Sequence, residues 1–380
     1  MKMLDKTILA SNIDKRLNAD IADGKVAGAS VCVIQDGHML CRKFYGYSDA
    51  ETKEVLTEKN LYRMASMTKP VTAVCILILQ EKGLLKISDP ISKYIPGFKN
   101  MKVGYFESNY ICAGEDAEKE ITIEMILSHK SGVGSGEIAA GQMEKMTEKD
   151  KYSLETAVKY YEDMFLEFQP GKAERYSAVA GFDVLARIVE ILSGMAFADF
   201  AKENIFTPLQ MNDTTFVPSE EQWGRMVKMS DFADGKAVNV PMPKCIFDNF
   251  PKTYTCGGAG MVSSLDDYMK FAQMLLQNGT YCGTKILSQN SIELMRTPNL
   301  PEDTTHINEV WGLGVRVNKN LFYKRLPEGV FGWSGAYGTH FFVDPENKIT
   351  AIYMKNSWFD GGSGAVTAAN FEEDVYSALI

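Results

Sequence analysis

The sequence predicts an α+β fold. One antiparallel sheet is assembled from both ends of the chain and flanked by helices, with a mostly helical lobe inserted between those ends. Three observations predict it. Near the start, VAGASVCVIQDGHMLCRKFYGY holds two β-rich runs separated by Asp36-Gly37, a pair that favours a tight hairpin turn. Near the end the β character returns in GVRV, in FGWSGAYGTHFFVD and, after a PEN turn, in KITAIYMKN. Between them, residues 100–250 read mostly as helices and loops. The expected division is residues 1–95 with 255–380 for the sheet unit and 96–254 for the helical unit, with an active site between the two.

In chain order, MKMLDKTILASNIDKRL spaces its charges every few residues and reads as an amphipathic helix. After the hairpin, Ser66 opens a helix reaching Lys82. Pro70 is tolerated in its first turn, where a missing N–H costs little, and Gly83 suits its C-terminal stop. ISDPISKYIPGF is rich in turn formers. Helices are expected at 153–166 and 178–193. In GGAGMVSSLDDYMKFAQMLLQNG a helix begins near Ser264, where Asp266 and Asp267 favour the positive end of its dipole. A last helix is expected at 366–379. There is no internal repeat and no low-complexity tract.

Composition narrows the function classes. The 380 residues carry 45% hydrophobic and 23% charged side chains, which suits a soluble protein with a sizeable core. A net charge of -9 argues against nucleic acid and anionic membrane surfaces, both of which attract basic patches. The seven cysteines (Cys32, Cys41, Cys75, Cys112, Cys245, Cys256, Cys282) form no CxxC pair, which suits a reducing compartment better than a disulfide framework or a zinc site. The N-terminus lacks the apolar core of a signal peptide, and the longest apolar run, Val71 to Leu79, is far short of a membrane span. A cytoplasmic location is the expectation.

One short motif carries possible chemistry. Ser66-Met67-Thr68-Lys69 is the single S-x-x-K in a chain with 23 serines. The spacing puts both side chains on one helical face, with the serine near free backbone N–H groups. A serine placed so attacks a carbonyl if a desolvated lysine takes its proton. The spacing alone also fits a capping serine followed by a solvated lysine. Other systems fare worse. Both near-matches to G-x-S-x-G, at Gly332 to Ala336 and Gly361 to Ala365, lack the last glycine. His38, His129, His306 and His340 have no metal-ligand spacing, so no metal is expected. No phosphate-cradling glycine loop is present, so no cofactor is expected. His129, in LSHKSG, fits a histidine anchoring a turn better than a member of a Ser-His-Asp arrangement.

Six ordered segments then show a resemblance over nearly the whole chain. They are RMASMTKPVTA with LQEKGLLKISDPISKYIPGF, ITIEMILSHKSGV, FQPGKAERYSAVAGFDVLARIVEILSG, FTPLQMNDTTF, GGAGMVSSLDDYMKFAQMLLQNG and GWSGAYGTHFFVDPENKI. Together they resemble the serine hydrolases related to class C β-lactamases and penicillin-binding proteins, which include the family VIII carboxylesterases. The resemblance implies a β-lactamase/transpeptidase-like fold and an acyl-enzyme mechanism without metal or organic cofactor. It implies Ser66 as nucleophile, Lys69 as its partner, and Tyr176 as a phenol that shares proton traffic with Lys69. It implies an oxyanion hole from the Ser66 and Ala336 N–H groups, two fixed donors of the kind that contribute heavily to such reactions. Trp333-Ser334-Gly335 stands where the family has Lys-Thr-Gly or a variant, so Trp333, Ser334, Gly335 and the following Tyr337 are expected to line the substrate site.

Two departures shape the functional expectation. The family's Tyr-Ser-Asn is Tyr-Ser-Ala here, so Ala178, also expected at the substrate site, offers no side-chain amide to Lys69 or to a lactam or peptide. Trp333 replaces a lysine or histidine, and an indole offers an apolar face and one N–H in place of a cation. A β-lactam or peptide acid loses a partner for its carboxylate, while a neutral ester loses nothing. The expectation is therefore a carboxylesterase on small esters. The alternatives are a β-lactamase or D-amino-acid peptidase using the same residues, an acyltransferase, or a non-catalytic relative that binds a ligand.

Overall fold

The structure, a computed structural model, describes residues 1–240, 253–305, 310–319 and 325–380; Cys245 and His306 lie outside them. Its main sheet has six antiparallel strands. In spatial order they are Arg316–Val317, Phe331–Ser334, His340–Asp344, Ile349–Met354, Gly28–Gln35 and His38–Gly46. The two ends of the chain meet where Ile349–Met354 pairs with Gly28–Gln35, in the register Ser30 to Met354 through Gln35 to Ile349. The N-terminal hairpin turns at Asp36 and Gly37, both at positive φ (48° and 78°), as its turn dipeptide requires.

Alternation along the strands builds two apolar layers. Val31, Val33, Phe342, Ala351 and Tyr353 face Leu9, Ile13 and Leu17 of the first helix, Lys6–Ala22, and Phe371 and Val375 of the last, Val366–Tyr376. Cys32, Ile34, Trp333, Phe341, Val343 and Ile352 face the larger core, which holds Lys69–Glu81, Ala180–Ser193 and Leu265–Leu276. Caps fix where these helices begin and end. Asp5 accepts from the Thr7 and Ile8 N–H groups, Ser264 from that of Asp267, and Gly194 takes the left-handed conformation after Ser193. Among the described residues no helix is long and apolar enough to cross a membrane.

The stretch expected to be helices and loops also holds two hairpins, Lys102–Glu107 with Tyr110–Asp116 and Ser230–Ala233 with Lys236–Asn239. Both are largely exposed, so no buried alternating face announces them. The second turns on Asp234-Gly235, at φ 51° and 75°, the same dipeptide that marks the N-terminal hairpin. The helix expected at 153–166 stops at Tyr161, because Leu166 is drawn into backbone pairing with Lys102 and Gly104 beside the first hairpin. FGWSGAYGTHFFVD forms two strands separated by a turn at 335–339 closed by Gly335 N–H to Thr339 O at 2.7 Å.

Lys355, just past the Ile349–Met354 strand, has a side chain only 1% exposed; it donates to Phe359 O at 3.0 Å. Burial pushes its pKa down to about 8, against the pull of Asp360 and Asp20. Between that value and the ordinary lysine value the unfolded chain binds the extra proton and the folded chain does not. This group therefore adds stability as pH rises from about 8 to about 10. Thermal melts across that range should show a more positive slope for wild type than for Lys355→Met. Equal slopes would count against a desolvated ammonium here.

Candidate active site

The Ser66 turn is set by backbone pairing distant in sequence. Tyr62–Arg63 pairs with Val262–Ser263, and Met64 N–H continues the ladder to Met261 O at 2.9 Å. Ala65 then turns the chain at φ 45°, a left-handed conformation that costs a non-glycine residue and is held here by its surroundings. A 3₁₀ turn, Ala65–Thr68, leads into the Lys69–Glu81 helix. Ser66 is half-buried, while Lys69 at the head of the helix is fully buried.

Among the described residues three oxygens surround Lys69 Nζ. It donates to Ser66 Oγ at 3.3 Å, to the Ala178 carbonyl at 2.6 Å and to the Gly258 carbonyl at 2.9 Å. The missing asparagine side chain is thus answered by main chain, because position 178 still presents its carbonyl while its methyl group is exposed. The face of the Tyr176 ring lies 4.9 Å from Nζ and that of Phe182 lies 5.3 Å away, both within cation–π range.

Tyr176 is beside Lys69, but its hydroxyl is engaged elsewhere. Among the described residues no hydrogen bond joins Tyr176 Oη to Lys69 or Ser66; Oη accepts from the Trp333 indole N–H at 3.2 Å. Trp333 is buried, edge-on to Trp311 at 4.4 Å between ring centroids, and Trp311 stacks on Tyr176 at 5.6 Å. His129 closes this aromatic group, 4.6 Å from Tyr176 and 4.2 Å from Trp311. Its Nδ1 accepts the Ser177 N–H at 3.0 Å, which assigns the ring proton to Nε2. Burial, and then the Lys69 charge, holds its pKa well below the ordinary imidazole value. With φ at 57° and its carbonyl accepting from Arg175 N–H, it is a neutral turn anchor.

The turn at 335–339 meets the Ser66 turn directly. Thr339 Oγ1 donates to Met64 O at 3.1 Å. A Cβ at Gly335 would lie 2.2 Å from Thr339 Oγ1 and 2.4 Å from Met64 O, so only glycine allows this approach. Ala336 is exposed among buried neighbours, and among the described residues no hydrogen bond uses its N–H. Tyr337 is buried against Ala65 and Met229, with its ring edge-on to Trp358 at 5.2 Å, and so packs behind the Ser66 turn.

Ser334 departs from its expected place at the substrate. Neighbouring strand residues point to opposite faces, so with Trp333 turned toward Tyr176, Ser334 faces the last helix. There its Oγ meets His340 Nδ1 at 2.9 Å, and His340 Nε2 lies 3.2 Å from Glu372 Oε1, close but out of hydrogen-bond alignment. The sequence reading also missed Gly258, Trp311 and Asp183. The doubled glycine at 257–258 was the one available signal. A Cβ at either would press on the Phe182 or the Ala178 carbonyl, at 2.4 and 2.9 Å.

Comparison with known proteins agrees with this fold. A family model described as Beta-lactamase matches residues 12–372. Esterase EstB from Burkholderia gladioli is 25% identical over 397 residues, covering 96% of this chain and 95% of that protein. A structure of EstCE1, described as a hydrolase with promiscuous acyltransferase activity, superposes with a TM-score of 0.82 at 22% identity, over 98% of this chain and 99% of that one. A family VIII carboxylesterase structure gives a TM-score of 0.77 at 20% identity, over 97% of both chains.

Proposed function

Because the chain belongs to the beta-lactamase family and is a serine hydrolase of the S-x-x-K type, we propose that it is a carboxylesterase that cleaves small neutral esters through an acyl-enzyme on Ser66. The observation that carries this reading is the Trp333 indole N–H given to Tyr176 Oη at the position where the family holds a cation. A substrate carboxylate finds no positive partner on that side chain, whereas a neutral ester needs none. The esterase relative EstB is consistent with that chemistry.

In this mechanism Ser66 Oγ bonds to the ester carbonyl carbon, and its proton passes to Lys69 Nζ, acting as a neutral amine. The Ser66 and Ala336 N–H groups hold the oxyanion. As the carbon–oxygen bond to the alcohol breaks, Tyr176 gives its proton to the leaving oxygen. The phenolate is stabilised by the Trp333 N–H and by the Lys69 ammonium against its ring. Water then attacks the acyl carbon and returns a proton to Tyr176. Ser66 Oγ leaves with the proton that Lys69 had taken, and the carboxylic acid is released.

The test is intact-protein and peptide mass spectrometry after exposure to a fluorophosphonate, alongside turnover of p-nitrophenyl butyrate and nitrocefin. A single adduct on the Ser66 peptide, with ester turnover well above lactam turnover, is the expected result. A folded protein that takes no adduct, or whose adduct maps elsewhere, would overturn the assignment. Nitrocefin turnover above that of the ester would replace the esterase reading with a lactamase one.

A further inference from the structure

Among the described residues Lys69 bonds only neutral oxygens, and the Gly258 carbonyl among them belongs to a segment that must be held in place from outside the Ser66 turn. Asp183, on the Ala180–Ser193 helix and fully buried, binds that segment. Its Oδ1 accepts the Gly257 N–H at 2.8 Å, and its Oδ2 accepts from the Tyr161 hydroxyl at 3.2 Å and from the Tyr254 hydroxyl. In the next two peptides of the segment, the Gly257 carbonyl accepts from Thr72 Oγ1 at 2.6 Å and the Gly258 carbonyl accepts from Lys69 Nζ at 2.9 Å. Thr72 and Lys69 lie together on the nucleophile helix, three residues apart. The two glycines let this segment wedge between the helices, as any Cβ there would strike the backbone at Phe182 or Ala178.

We propose that Asp183 is a positioning residue for Lys69, its carboxylate fixing the Tyr254–Gly258 segment so that the Gly258 carbonyl holds the amine at Ser66. This rests on the reading of Lys69 as the base of Ser66. A buried carboxylate that accepts several hydrogen bonds is rigid, because loss of any donor leaves a desolvated charge short of a partner. Burial pushes the Asp183 carboxyl up to about 6, while hydrogen bonds from Tyr254, Gly257, Cys256 and Tyr161 pull it back down. The titratable groups facing it are those of Tyr161, Tyr254 and Cys256, and the Lys69 charge is felt by Cys256 across the segment.

The test compares wild type, Asp183→Asn, Tyr161→Phe and Ser66→Ala on p-nitrophenyl butyrate, with thermal melts as a folding control. Asp183→Asn should lower kcat by about thirtyfold and leave KM within about threefold, since a hydrogen bond to a charged group is involved in aligning the base but not in binding the ester. The ratio of wild-type to variant kcat should also shrink as pH falls through about 6, where wild-type Asp183 loses its charge. A folded Asp183→Asn with unchanged kcat, or with its loss entirely in KM, overturns the inference. If Asp183→Asn does not fold, Tyr161→Phe decides: a severalfold lower kcat at constant KM supports it, and an unchanged kcat overturns it. Residual full activity in Ser66→Ala would instead overturn the underlying reading of Ser66 and Lys69.

Discussion

Lys69→Met should lower kcat on a p-nitrophenyl ester by about a thousandfold or more and leave KM within about threefold, since general bases contribute ~10²–10⁴ and a nucleophile without its base loses more. Methionine keeps the length and apolar packing of the lysine stem but removes the amine that reaches Ser66 Oγ. It also leaves the Ala178 and Gly258 carbonyls without that donor, at a cost of about 1–3 kcal/mol for the buried Gly258 acceptor. A fall in melting temperature is therefore expected, and rates must be compared well below the transition. Fluorophosphonate labelling of Ser66 should slow in parallel. Activity within tenfold of wild type in a folded variant would remove Lys69 from the mechanism.

The second large effect is expected at a residue with no side chain. In Gly335→Ala the new methyl would meet Met64 O and Thr339 Oγ1, the two atoms whose hydrogen bond ties the 335–339 turn to the Ser66 turn. Backbone cannot yield as a flexible side chain does, so the two turns must move apart. In the proposed mechanism this carries the Ala336 N–H away from the Ser66 N–H and removes one oxyanion donor, worth about 3 kcal/mol. We expect kcat/KM to fall by about a hundredfold, with the far-UV spectrum unchanged. Gly335→Ala with kcat/KM within about threefold of wild type would show that the oxyanion is held elsewhere.

Much of the architecture was legible in the residues. Asp36-Gly37 announced its hairpin, Ser264 its helix start, and the β-rich ends the sheet they share. The exposed hairpins at 102–116 and 230–239 were not, because strands without a buried face leave no apolar period to read. The alternation rule could have turned Ser334 away from the cleft, but it applies only once the face of Trp333 is known. That face depends on Tyr176, 157 positions away.

By itself the sequence determined the N-terminal hairpin, the β-rich ends that share a sheet, and the local pairing of a serine with a lysine, which follows from their three-residue spacing. Only the tertiary structure decided what surrounds that lysine and that phenol. The oxygens at Lys69 are the carbonyls of Ala178 and Gly258, 109 and 189 residues away, and the group on Tyr176 Oη is an indole N–H. Every residue type carries a carbonyl, so no letter at position 178 or 258 could announce that it would hold an ammonium; only the path of the chain brings it there.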